Sequence, residues 1–169
     1  MNREIERKFL VTDEAYKAEA VESHRLVQGY ICRSQGRTVR VRIADGTGWL
    51  TIKGPSESGG LARSEWEKEI PLEDAQSLMS LCEGGVIDKT RWIVPEAGGL
   101  KYEVDEFLGQ NRGLVVAEIE LPSEDAAFVP ASWLGREVTG DRRFYNSMLV
   151  SYPFCKWPEL EKATVAAAE

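Results

Sequence analysis

The chain predicts an α+β fold dominated by a closed antiparallel β-barrel of about eight strands, which forms a charged tunnel with helices packed outside. Three features of the 169-residue sequence lead there. Strand-length segments rich in β-branched and aromatic residues follow one another with hairpin signals between them, the pattern of consecutive antiparallel strands. Helical patterns punctuate these segments instead of alternating with each, which argues against a parallel βαβ sheet. Within the strands, charged residues recur at every second position, so one face is charged while the apolar alternates pack on the other side.

The first strand is expected over 2–10, where Glu4, Glu6 and Lys8 share one face and Ile5 the other. Thr12 or Asp13 then caps a helix running to about Glu22. Strands follow at 27–33, 38–44 and 48–53, with Asp45-Gly46-Thr47-Gly48 as a tight hairpin. After a polar loop from Gly54 to Gly60 comes a strand at 64–70. A helix then follows Pro71, carrying Leu72, Ala75, Leu78, Met79 and Cys82 at helical spacing. The second half supplies strands at 86–94, 100–107 and 114–121 and a short one near Glu137 to Thr139, with short helices after Ser123 and Gly140. One domain is expected over 1–150, and 151–169 reads as a tail ending in an alanine-rich helix that packs on the barrel or frays.

Hydrophobic content of 43% and charged content of 29% are ordinary for a globular protein. A chain of this length buries roughly two-thirds of its extended surface, enough for a sizeable core. No apolar run approaches the roughly 20 residues of a membrane helix, and no basic-then-apolar leader opens the sequence, so a cytoplasmic location is expected. The net charge of −7 argues against a general nucleic-acid binder but leaves room for a concentrated internal basic site. Cys32, Cys82 and Cys155 are widely spaced and odd in number, and read as reduced thiols. His24, the only histidine, has no nucleophile motif near it and reads as a surface or connecting residue.

Charged alternation returns at Arg40/Arg42, Glu65/Glu67, Lys89/Arg91, Glu103/Asp105 and Glu118/Glu120. A wet sheet face explains any one stripe. It does not explain why the signs are grouped by strand, whereas a closed barrel with the charges inside does. Buried charges cost several kcal/mol each unless partnered, on the order of what buried ions generally cost. Arginine and lysine suit phosphate oxygens, and carboxylates suit a hard divalent cation. Together they describe a metal-polyphosphate site.

The ordered set of motifs E-I-E-R-K-F-L at 4–10, Q-G-Y at 28–30, V-R-V-R at 39–42, L-T-I-K-G at 50–54, E-W-E-K-E-I at 65–70, K-T-R at 89–91, E-V-D-E-F at 103–107, A-E-I-E-L at 117–121 and E-V-T-G-D at 137–141 resembles the CYTH superfamily of triphosphate tunnel metalloenzymes. Its short bacterial members are inorganic triphosphatases that hydrolyse tripolyphosphate with Mg²⁺ or Mn²⁺ in an eight-stranded tunnel; relatives include class IV adenylyl cyclases and thiamine triphosphatases. The resemblance implies Lys8, Arg40, Arg42, Lys53, Lys89 and Arg91 as phosphate-binding and catalytic positions, with Arg143 a further candidate. It implies Glu4, Glu6, Glu118 and Glu120 as metal ligands, and Asp105 as an additional ligand or water-orienting group. Glu65, Glu67 and Glu103 are expected as tunnel acids that either act or orient the basic residues.

Tyr30 either offers a phenol to a phosphate oxygen or closes the tunnel mouth by packing. Trp66 and Trp92 fall opposite the charged stripes, in the outer layer, whereas Trp49 falls on the Lys53 side near a mouth. The expected partner is a small-molecule triphosphate, with no nucleic acid or membrane, and both monomer and homodimer remain open. Against hydrolysis stand cyclisation of ATP, hydrolysis of thiamine triphosphate, and polyphosphate binding without turnover.

Overall fold

Nine strands form one antiparallel sheet in the computed structural model, which describes residues 2–168. They are β1 (Asn2–Val11), β2 (Glu22–Ser34), β3 (Arg37–Ala44), β4 (Thr47–Glu57), β5 (Ala62–Ile70), β6 (Ile87–Pro95), β7 (Lys101–Phe107), β8 (Val115–Glu120) and β9 (Leu134–Glu137). The lateral order is β5-β4-β3-β2-β6-β7-β8-β1-β9, and an additional β5–β1 pairing closes the first eight into a barrel. Closure depends on the length of β1. Its start pairs with β5 (Glu4 opposite Arg63), its middle with β8 (Lys8 opposite Glu118), and its end with β9. The β3–β4 turn is the expected two-residue hairpin: Asp45 and Gly46 both take positive φ, at 47° and 82°, as a twist-matched turn requires.

Helices lie outside the ring. The helix expected from Thr12 or Asp13 to Glu22 is a single turn, α1 (Tyr16–Glu19), because the chain beyond it is drawn into the sheet: Val21 N–H donates to the Ile93 carbonyl and Glu22 pairs with Ile93. α2 (Leu72–Met79) begins after Pro71 and lies against β3 and β4. It approaches so closely that a Cβ on Gly48 would fall 2.6 Å from the Ala75 Cβ. The helix expected after Ser123 does not form. That segment crosses the barrel wall irregularly, setting Phe128 edge-on to Phe9 and Tyr102 at 5.9 and 6.2 Å. After Gly140 come a 3₁₀ turn (Arg142–Phe144), α3 (Asn146–Leu149) and finally α4 (Glu159–Ala166). Among the described residues no helix is long and apolar enough to cross a membrane.

Two cores result from the two faces of the strands. The outward alternates Ile5, Val104, Ala117 and Ile119 pack beneath Tyr16, Tyr102 and Trp133, whose rings meet edge to face. Each fully buried large apolar side chain of this kind contributes about 1.5–3 kcal/mol. The second core fills one end of the barrel. Leu10, Tyr30, Ile87, Phe107 and Val116, which share the parity of the charged stripes, meet Phe144, Leu149, Phe154, Trp157, Val165 and Ala168. Residues 151–168 thus contribute to the plug that closes this end.

Candidate active site

The barrel encloses a cavity of about 190 Å³ lined by charged side chains from β1 and from β3 to β8. Parity explains which side chains enter. Ile5 sits in the outer core while Glu4, Glu6 and Lys8 line the cavity, and the same division holds for Trp66 (outside) against Glu65 and Glu67 (inside). Trp92 lies in the outer layer, edge-on to Tyr16, and Trp49 lies beneath the Arg42 guanidinium at 6.0 Å.

Strand order determines how the signs are distributed. Following the ring, β4 brings Lys53, β3 brings Arg40 and Arg42, β2 brings Tyr30, and β6 brings Lys89 and Arg91; β7, β8, β1 and β5 then bring Glu103, Glu118, Glu120, Glu4, Glu6, Glu65 and Glu67. One half of the wall is mainly basic and the other mainly acidic. Eight basic and seven acidic side chains line the cavity, so its bulk charge is nearly balanced, and it is the separation across the bore that creates a place for a polyanion beside a cation.

Ion pairs tie the halves together. Lys53 donates to Glu4 at 2.7 Å and pairs with Glu65 at 2.7 Å, while Arg63 donates to Glu4 at 3.0 Å and Glu6 at 3.3 Å. Lys8 donates to Glu118 at 2.5 Å. Burial pushes the Glu118 carboxyl up, but Lys8 and Arg91 outweigh it and hold the group well below its usual range. Glu4 is likewise held low, against burial, by Lys53 and Arg63.

Glu6 and Glu120 behave differently. They stand directly opposite each other on β1 and β8. Burial raises the Glu6 carboxyl, reinforced by Glu118, and burial raises Glu120, reinforced by Glu4, Glu103, Glu65 and Glu6. Arg63 and Lys8 lie within ion-pair distance of Glu6, at 3.3 and 3.8 Å, but among the described residues no cation pairs with Glu120. Such a carboxylate pair suits a hard divalent cation, and Mg²⁺ commonly takes only one or two carboxylates, completing its shell with water and phosphate. Among the described residues no three carboxylates converge as a ready-made cage.

The basic half is correspondingly short of anions. Arg40 and Arg42 share one carboxylate, Glu67, at 3.2 Å each, and Nε of both is buried without a partner. Burial lowers the Arg42 guanidinium, with Arg40 adding to the effect. Glu67 is held low against burial by Thr51, which donates to it at 2.5 Å, and by Arg42 and Arg40. Glu103 is held low against burial by Arg91 and Lys101. Glu65, Glu67 and Glu103 therefore all pair with tunnel cations.

Asp105 is not part of the cavity wall. It is 1% exposed, sealed behind Arg91, which grips both its oxygens at 2.7 Å, and it accepts from Lys89 at 2.5 Å. Despite burial, Arg91 and Lys89 lower its carboxyl. Because Arg91 takes most of this carboxylate, Lys89 remains under-compensated. Burial brings its ammonium down to about 8, Asp105 opposing and Arg91 reinforcing the shift.

The expectation for Arg143 is corrected by the structure, which turns its side chain away from the tunnel. It pairs with Asp141 at 2.6 Å and Glu161 at 3.1 Å and lies over Phe144 and Trp157. Tyr30 lines the cavity, accepts from Gln28 Nε2 at 3.2 Å, and packs in the plug core. His24 lies within β2, paired with Glu22 and Asp45. Arg63, Lys101, Tyr145 and Asn146 also line the cavity but were not singled out from the sequence. Arg63 and Lys101 carry the same two-residue signal as their neighbours Glu65 and Glu103, whereas Tyr145 and Asn146 lie in an aperiodic segment with no such signal.

A closed antiparallel barrel whose bore is split into basic and acidic halves defines a tunnel-type polyanion-binding protein. The chain belongs to the CYTH domain family, whose profile matches residues 2–145. It is 48% identical over 160 residues to an inorganic triphosphatase of Acetivibrio thermocellus, covering 94% of this chain and all of that one. It is 36% identical over 149 residues to an inorganic triphosphatase of Nitrosomonas europaea, covering 86% and 95%. A solved inorganic triphosphatase structure superposes with a TM-score of 0.62 at 33% identity, covering 89% of this chain and 96% of that one. A solved protein from Hippeastrum, described as a putative adenylyl cyclase with dominant triphosphatase activity, shares the fold at 16% identity and a TM-score of 0.60, over 71% and 80% of the chains.

Proposed function

We propose that this protein hydrolyses inorganic tripolyphosphate in its tunnel with Mg²⁺ or Mn²⁺. The observation that carries the reading is the separation of charge: unpartnered guanidinium donors on β3 face a like-charged carboxylate pair on β1 and β8. Phosphate oxygens supply what the first lacks, and a divalent cation what the second lacks. Both relatives above carry the name inorganic triphosphatase, which supports the same substrate.

In this reading Arg40, Arg42, Lys53 and Arg91 hold the phosphate chain in line, and Lys8 stands beside Glu118 to meet another phosphate. Glu6 and Glu120, with Glu4 and Glu118 next to them, would hold the cation, which when bound supplies charge neutralisation on phosphate oxygens and polarises water. Phosphoryl transfer leaves little covalent work to the protein, so orientation and electrostatic stabilisation by these side chains dominate. In the same reading Lys89, which lines the cavity, takes the proton of the attacking water. Its amine is tuned towards neutrality, and a buried lysine brought near 8 is a competent general base.

The test is phosphate release from tripolyphosphate, ATP, thiamine triphosphate and pyrophosphate, each with Mg²⁺, Mn²⁺ or EDTA, with cyclic AMP measured in parallel. Expected are tripolyphosphate turnover that EDTA abolishes, and a Glu6→Gln variant whose half-activating metal concentration rises at least tenfold while its melting temperature does not fall, because like-charge repulsion is relieved. Binding of tripolyphosphate in EDTA with no release in any metal would overturn the reading in favour of a binding module.

A further inference from the structure

We infer that Tyr145 is a specificity-determining residue that confines the tunnel to unesterified polyphosphate. The inference rests on the tripolyphosphatase reading. Beside the plugged end lies a second, larger cavity of about 850 Å³, bounded by the β2–β3 and β4–β5 hairpins and by the segment around Gly140. Tyr145, Arg63, Thr38 and Ser147 are common to the walls of both cavities, so this chamber and the tunnel meet there.

The two spaces differ in what they hold. The tunnel falls below the roughly 300–1,000 Å³ of sites that enclose small organic molecules, and the chamber lies within that range. The chamber has room for the ester group of a nucleoside or thiamine triphosphate, and Tyr145 stands in the wall where it meets the tunnel.

Tyr145 is fixed in position. Its ring lies 5.6 Å from Lys8 Nζ, and a Cβ on Gly60 would fall 2.7 Å from its hydroxyl. Gly140 packs so tightly on this hairpin that a Cβ there would overlap the Gly59 carbonyl oxygen, and Gly59, Gly60 and Gly140 all take positive φ. Two glycine-bearing loops thus clamp the ring at the junction. Tripolyphosphate, which ends in a phosphate, lies within the bore; an esterified triphosphate seated with its organic group in the chamber carries that bulky group up against the ring.

The experiment compares kcat/KM for tripolyphosphate and ATP with Mg²⁺ in the wild type, Tyr145→Ala and Tyr145→Phe. Tyr145→Ala is expected to raise the ATP-to-tripolyphosphate ratio at least tenfold, and Tyr145→Phe, which keeps the ring, to leave it within threefold. A Tyr145→Ala ratio within threefold of wild type, or one that falls because the ring stacks on the nucleoside, overturns the inference. Tyr145→Leu, with ATP measured as a competitive inhibitor of tripolyphosphate hydrolysis, decides the matter if the alanine variant does not fold: the inhibition constant must drop at least tenfold. A wild type inactive on tripolyphosphate refutes the functional reading instead, so the two failures are distinguishable.

Discussion

Replacing Asp105 with Asn separates a structural from a metal-binding role for this residue. The substitution keeps size and one acceptor but removes the charge that Arg91 and Lys89 share. Arg91 retains Glu103 and Glu118, whereas Lys89 loses the only carboxylate placed within ion-pair distance of it among the described residues. Breaking a buried ion pair on one side costs about 3–5 kcal/mol. In a chain of this length each kcal/mol shifts the melting temperature by about 2–4 °C, so a drop of roughly 6–20 °C is expected at pH 7. The deficit depends on pH. Stranded Lys89 escapes part of the cost by releasing its proton, while the unfolded lysine keeps its proton up to a pKa of about 10.4. The unfolded state then binds more protons, and stability rises with pH. Wild type shows this rise only above a Lys89 pKa of about 8, whereas the variant shows it from lower pH, so the deficit narrows by about 1 kcal/mol between pH 7 and 9. Thermal and urea melts of metal-free protein at the two pH values provide the assay. An unchanged melting temperature with a weakened response of activity to Mg²⁺ would refute this account and make Asp105 a ligand.

Lys89→Arg keeps the positive charge but cannot supply a neutral base at working pH; kcat for tripolyphosphate should fall by about 10²–10⁴ with KM within a few-fold. The wild-type kcat profile should show a rising limb at or above pH 8, since bound phosphates raise Lys89 from its free value of about 8, and that limb should be absent in the variant. Arg143→Ala should leave kcat/KM within twofold because the side chain points away from the tunnel to Asp141 and Glu161. Its stability loss should stay within about 1 kcal/mol, as for other exposed pairs, measured by thermal melts.

The local period of two was enough to assign sides. Glu4, Glu6 and Lys8 face the bore because Ile5 faces the core, and this logic holds on every charged strand whichever strands become neighbours. It also applied to Arg63 and Lys101, the first lying one residue before the expected start of its strand. The helix expected at 123 failed for a different reason: the outer core needed Phe128 on the rings of Phe9 and Tyr102, and tertiary packing overrode a local capping signal.

The sequence by itself determined an antiparallel barrel with charges inside, since alternation and turn chemistry are encoded within a few residues. Only the tertiary structure decided how those charges are arranged. Pairing of β2 with both β3 and β6 gathers the basic strands on one side, and pairing of β1 with both β8 and β5 gathers the acidic ones on the other. Parity states whether a side chain points inward, but not at what depth or behind which neighbour. Asp105 therefore lies sealed behind Arg91, and Tyr145 stands where two cavities meet. Those placements follow from long-range pairing and from the plug, which no short window of sequence contains.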